Sequence, residues 1–144
     1  MTRPSVVLDT NIVVSAHLSP KGIPMTLLDL ALAGRVDLYV SPAILDEYEG
    51  VMRRGKFRFH PRVLERSLRD IRETAILVHP RIKLSVCKDP KDNMFVECAE
   101  AASADVLITG NLRDFPNHWK QTKIVNPRNG LIMLMDGIRN RDNY

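Results

Sequence analysis

Apolar positions along this 144-residue chain fall into short uninterrupted runs separated by longer stretches with helical spacing. Val6-Val7-Leu8 predicts a short, fully buried strand stopped by Asp9, with Thr10 and Asn11 opening a turn or helix. Pro24 suits the first turn of a helix carrying Leu27, Leu28, Leu30, Ala31 and Leu32, which ends near Gly34. Leu38-Tyr39-Val40 predicts a second strand. Ser41-Pro42, a capping residue before a first-turn proline, opens a helix through about Arg53. Residues 55–61 read as a basic, aromatic-containing linker, and residues 62–74 as another helix with Val63, Leu64, Leu68 and Ile71 apolar. Ile76-Leu77-Val78 predicts a strand stopped at Pro80. A helix from about Asn93 to Ser103 follows, then a strand Val106-Leu107-Ile108 and a loop over 109–119. Ile124-Val125 is a final short strand, and Pro127 leads into an apolar stretch at 131–135. Short strands alternating with helices predict an α/β layer sandwich with a mostly parallel sheet. With no internal repeat and no low-complexity segment, residues 1–144 are expected to form one domain.

Composition narrows the class. The longest apolar run, 131–135, is far short of the roughly 18 residues that span a membrane. The run at 6–8 is too short for the apolar region of a signal peptide. Cys87 and Cys98 form no C-x-x-C, so neither a disulfide framework nor a cysteine-rich zinc site is expected. A soluble, cytoplasmic domain is the expectation. Its charge is uneven: three basic against six acidic groups in residues 1–50, ten against three in 51–83, and eight of each in 84–144. A cationic middle beside acid-bearing flanks suits a polyanion held near a metal site, although a solvated helix face gives the same pattern.

The acids fall at informative places. In open α/β sheets ligands bind beyond the carboxyl ends of strands. Asp9 follows 6–8 and Thr109-Gly110-Asn111 follows 106–108. Asp9 either caps the next helix or serves a site, since an unpaired carboxylate after a buried run is costly. At about 100° per residue, Ile44, Leu45, Tyr48, Val51 and Met52 form one stripe, with Glu47 on its margin and Asp46, Glu49 and Arg53 pointing away. Glu47 can look into a cleft or snorkel to solvent. Asp92 stands where a helix N-cap is expected. Asp114, taken alone, reads as a surface acid. Four carboxylates converging without basic partners would repel one another unless divalent cations held them, and oxygen-only ligands favour Mg²⁺ or Mn²⁺.

Together, Val7-Leu8-Asp9-Thr10-Asn11, the helix Ile44-Leu45-Asp46-Glu47-Tyr48, the stretch running from Asp89-Pro90-Lys91-Asp92 to Ala99, and that from Ala104 through Thr109, Asn111 and Asp114 to Phe115 resemble the PIN domain (PilT N-terminal) family. Their order and spacing are similar to toxin components of toxin–antitoxin systems, over about residues 5–135. The resemblance implies a three-layer α/β/α sandwich and a Mg²⁺- or Mn²⁺-dependent endoribonuclease that hydrolyses RNA phosphodiesters with metal-activated water. It implies Asp9, Glu47, Asp92 and Asp114 as catalytic, metal-binding acids, supported by Asn11, Asp89, Thr109 and Asn111. Many members place an aspartate where this chain has Asn111; others resemble it in pairing that asparagine with an aspartate before phenylalanine, as in Asp114-Phe115. The implied partners are RNA, an antitoxin protein and a second copy in a homodimer, with no membrane. The alternative is a weak or inactive module that binds RNA or a protein.

Arg53, Arg54, Lys56 and Arg58 interleave with Phe57 and Phe59, a pattern that suits unpaired RNA. The same pattern equally suits phenylalanines that anchor the loop in the core, and a strip that meets an acidic antitoxin or a second protomer. His17, His60, His79 and His118 are scattered without metal-ligand spacing and read as structural or surface residues. An aspartate-nucleophile phosphatase would carry a second aspartate where this chain has Asn11. The polar tail 136–144 is either ordered at an interface or frayed.

Overall fold

In the computed structural model, which describes residues 2–143, the first apolar run becomes strand β1 (Ser5–Leu8) in the interior of a six-stranded sheet. Tyr144 lies outside the described residues. β2 (Asp37–Val40) flanks β1 on one side and β4 (Val106–Ile108) on the other, both parallel to it. β3 (Ile76–Leu77) extends the sheet beyond β2, and β6 (Thr122–Val125) beyond β4, again in parallel. β5 (His118–Trp119) closes the far edge antiparallel to β6, giving the order β3-β2-β1-β4-β6-β5. Val7, Leu8, Leu107 and Ile108 are all at 0% exposure. Because successive strand residues face opposite sides, both faces of the central strands are covered.

The cover is helical: α1 (Thr10–Leu18), α2 (Ile23–Leu32), α3 (Pro42–Met52), α4 (Pro61–Thr74), α5 (Asn93–Ala102) and α6 (Pro127–Asp142). α5 packs on β1, β2 and β4, while α6 lies on β4 and against α2. The result is an α/β sandwich with a mostly parallel sheet. α6 approaches the sheet through Gly130, where a Cβ would stand 2.4 Å from Ile108 Cδ1. Glycine there permits the close approach. Among the described residues, no helix is long and apolar enough to cross a membrane.

Three stretches differ from the sequence expectation. The loop expected over 109–119 holds a single 3-10 turn, Leu112–Asp114, and ends in β5, which forms a hairpin with β6. Trp119 Nε1 donates to Glu100 on α5 at 3.1 Å, and Lys120 pairs with the same carboxylate, which pins the hairpin. The linker at 55–61 contains a further 3-10 turn, Gly55–Phe57. The tail continues α6 through Asp142, whose carboxylate meets Arg35 at 3.2 Å.

Candidate active site

Strands lead away from β1 in one direction and from β4 in the other, so the sheet's topological switch lies between these two neighbours. A crevice at such a place, beyond the carboxyl ends, is where α/β sheets bind ligands. Asp9 and Thr109 are the first residues past β1 and β4. Asp9 N–H donates to Ile108 O at 3.0 Å and Thr109 N–H to Val125 O at 3.0 Å, so the backbone places both. The Thr109 hydroxyl donates to Asp9 Oδ2 at 2.7 Å and accepts from the Asn111 N–H at 3.0 Å. Gly110 N–H donates to Asn11 Oδ1 at 3.3 Å. Burial raises the Asp9 carboxyl above its ordinary range; Thr109 and the amides of Thr10 and Asn11 pull it back, and Glu47 adds repulsion. Asp9 stands at the N-cap position of α1 without a side-chain capping hydrogen bond.

Glu47 is delivered by α3, whose start is fixed by Ser41 Oγ accepting from Ile44 N–H at 3.2 Å and by Pro42 in the first turn. Ile44, Tyr48 and Met52 are buried, leaving Glu47 partly exposed at the stripe's margin. The Tyr48 hydroxyl, fully buried, donates to Leu8 O at 2.5 Å. That bond ties the helix carrying Glu47 to the residue before Asp9. Sequence reasoning missed it because Tyr48 reads as one more member of an apolar stripe.

Asp92 ends the 3-10 turn Pro90–Asp92 and precedes α5. It takes the N-cap position of α5 that the sequence suggested, but without a side-chain capping bond. The local bonding falls to two other residues. Asp89, exposed, accepts from Lys91 N–H at 3.0 Å. Buried Asn93 accepts from the Val86 and Cys87 amides at 3.0 and 2.9 Å and donates to Pro90 O at 3.2 Å. Lys88 N–H donates to Asp114 O at 3.0 Å, drawing this segment against the turn that carries Asp114, with Phe115 buried beside it.

The acids lie within reach of one another's charge. Burial, then Asp9, Asp89, Asp114 and Glu47, push the Asp92 carboxyl up to about 6, and no cation acts among these causes. Burial, then Asp92, Asp9, Asp114 and Asp89, likewise push the Cys87 thiol up to about 12. Cys98 is pushed up to about 12 by burial. Neither thiol has the depressed pKa of a nucleophile. Asn111 is exposed at the rim.

The basic strip divides. Arg53 is engaged by Glu49 at 3.2 Å and Glu65 at 2.6 Å, whereas Arg54, Lys56 and Arg58 are exposed. Phe57 and Phe59 are partly buried against the core and stack at 5.5 Å, with Phe59 also against His17. They anchor the loop. His17 bridges Val13 O and Ser67 Oγ, His60 accepts from Arg62 N–H, and His79 and His118 are exposed.

Among the described residues, no three histidine, cysteine or acidic side chains are gathered closely enough to cage a metal ion as they stand. The set fits Mg²⁺ or Mn²⁺ better than a closed chelate would. All donors are hard oxygens, none is in an ion pair among the described residues, and Mg²⁺ keeps several waters while taking only one or two carboxylates.

A family model for the PIN domain matches residues 5–113. The chain belongs to the PIN-domain family. Members of that family are generally nucleases, which supports a hydrolase acting on nucleic acid. This PIN domain is 34% identical over 128 residues to an uncharacterised protein of Methanocaldococcus jannaschii, covering 83% of this chain and 81% of that one. Its fold is also similar to the crystal structure of VapBC2 from Rickettsia felis bound to a DNA fragment from their promoter. That match has a TM-score of 0.56 at 20% identity, over 85% of this chain and 98% of that chain.

Proposed function

We propose that this PIN domain is a Mg²⁺- or Mn²⁺-dependent endoribonuclease, and that it is the toxin of a toxin–antitoxin pair. The observation that carries the reading is Asp92, held partly buried in the field of Asp9, Asp89, Asp114 and Glu47 without a cation to offset them. Such a group is costly as an empty structure and sensible as a metal site. Asp9 and Asp92 would hold the ion, with Glu47 and Asp114 completing the set directly or through water. A bound divalent cation supplies a Lewis acid that makes water nucleophilic at neutral pH and offsets charge on the scissile phosphate. Thr109 orients the buried Asp9 and opposes the upward push of burial on its carboxyl, and its second hydrogen bond fixes the Asn111 backbone at the rim. Tyr48 holds the carbonyl before Asp9. Arg54, Lys56 and Arg58 offer phosphate contacts. The motif resemblance and the fold shared with VapBC2 support an antitoxin partner, and the resemblance supports a cytoplasmic homodimer.

The test is cleavage of a fluorescent single-stranded RNA in Mn²⁺, Mg²⁺ or EDTA, beside Asp9→Asn. Cleavage that needs the metal and vanishes in the variant is expected. Cleavage surviving both EDTA and Asp9→Asn would overturn the chemistry, and RNA binding without cleavage would leave only a binding module.

A further inference from the structure

Beside the acidic group, at the carboxyl ends of β4 and β6, lies a cavity of about 550 Å³ lined by Gly110, Asn111, Leu112, Arg113, Asp114 and Asn126. We propose that it is the subsite for the nucleotide next to the scissile phosphodiester of a single-stranded RNA, with Arg113 as its phosphate contact. The inference rests on the nuclease reading and adds where the substrate runs.

Position comes first. Asp114 borders the cavity and also acts on Asp92, so a strand whose phosphate sat at the acids would place its neighbouring nucleotide here. The volume falls within the roughly 300–1,000 Å³ of small-ligand clefts. The charge then changes sign across the rim. Arg113 is exposed and makes no ion pair among the described residues, even though Asp114 follows it. The 3-10 turn explains this, since three residues per turn send successive side chains in different directions. Asn126, opposite, caps the 16-residue α6 by accepting from Asn129 N–H at 2.8 Å. The positive end of that helix dipole therefore borders the cavity.

The lining also matches a nucleotide better than an acidic peptide. Among the described residues Arg113 is the one cation lining the cavity, enough for a single phosphate. Leu112, 40% exposed, offers an apolar surface for a base, and the Asn111 and Asn126 amides can meet base or ribose edges. The platform is rigid. Asn111 N–H is held by Thr109, Asp114 N–H by Asn111 O, Asp114 O by Lys88, and Phe115 is buried.

The experiment uses the Asp9→Asn protein as a non-cleaving parent and follows fluorescence anisotropy of a ten-nucleotide single-stranded RNA from about 50 to 300 mM salt. Adding Arg113→Gln is expected to weaken binding about tenfold and reduce the salt slope by about 0.7, the value for one phosphate on a single strand. Arg139→Gln, far along α6, is expected to change neither. If Arg113→Gln leaves affinity and slope unchanged while the wild-type protein cleaves RNA, the subsite is wrong and the nuclease stands. If wild type neither binds nor cleaves RNA, the functional reading itself falls. A polyglutamate competitor that displaces RNA through Arg113 alone would overturn the nucleotide in favour of an acidic peptide.

Discussion

Asp92→Asn is expected to make the metal-free protein more stable while abolishing its chemistry. In the folded chain the Asp92 carboxyl is pushed up to about 6, against an ordinary aspartate value of 3.8. A shift of about two units corresponds to about 3 kcal/mol at 1.36 kcal/mol per unit. Asp92 is only partly buried, and solvent screening reduces the usable figure to about 1–2 kcal/mol. The sign follows from linkage. An acid whose folded pKa is raised binds its proton more tightly when folded, so its stabilising effect is full below about 4 and lost as pH rises through about 6. Metal-free wild type should therefore lose stability between about pH 4 and 6, and the variant should lose less. At about 3–4 °C per kcal/mol for a chain of this size, Asp92→Asn should melt about 3–8 °C higher at pH 7.5 in EDTA. Mn²⁺ at a hundred times its dissociation constant should stabilise wild type by about 2.7 kcal/mol, reversing the order, and should do little for the variant. Thermal melts at several pH values, with Mn²⁺ or EDTA, read all of this. A variant that melts lower than wild type in EDTA at pH 7.5 would refute the reasoning, because Asp92 would then be a structural residue rather than a strained ligand.

Tyr48→Phe removes the buried bond to Leu8 O and should cost about 1–2 kcal/mol. It should also weaken Mn²⁺ binding severalfold, whereas Thr122→Val, which removes the buried bond to Ala104 O, should cost similar stability and leave Mn²⁺ affinity alone. Calorimetry on the two variants separates positioning from mere loss of stability. Gly130→Ala drives a methyl to within 2.4 Å of Ile108 Cδ1 and should destabilise by about 1–3 kcal/mol in urea unfolding. Neutralising Arg54 and Lys56 together should lower the salt slope of RNA binding by about 1.4, and an unchanged slope would remove the strip from the binding surface.

The central strands were legible because a short apolar run such as Val6-Val7-Leu8 has few ways to be buried, and Ser41-Pro42 announced α3 through capping chemistry. The β5–β6 hairpin was not legible. Its turn, Lys120-Gln121, has neither glycine nor asparagine, and Lys120 takes a φ of 51° held by the tertiary pair with Glu100. α6 was expected only as an apolar stretch at 131–135 after Pro127, with nothing read from Gly130 and Gly137. In the fold they are clearances for Ile108 and Pro4. For the site, residue type and place marked Asp9, Glu47, Asp92 and Asp114, but not the bonds that present them. Tyr48 hid its hydroxyl in an apolar stripe, and nothing in the pattern marked Asn93 as the acceptor for the Val86 and Cys87 amides. Arg53 looked as free as Arg54 until Glu65, twelve residues away in sequence, was folded against it. Those features are tertiary, and periodicity does not carry them.

The most direct measurement is a calorimetric titration of Mn²⁺ into metal-free protein at pH 7.5, for wild type, Asp9→Asn and Asp92→Asn. The account predicts saturable binding by wild type and its loss in both variants, each of which remains folded. Absence of binding at millimolar Mn²⁺, or binding undiminished in both variants, would contradict it.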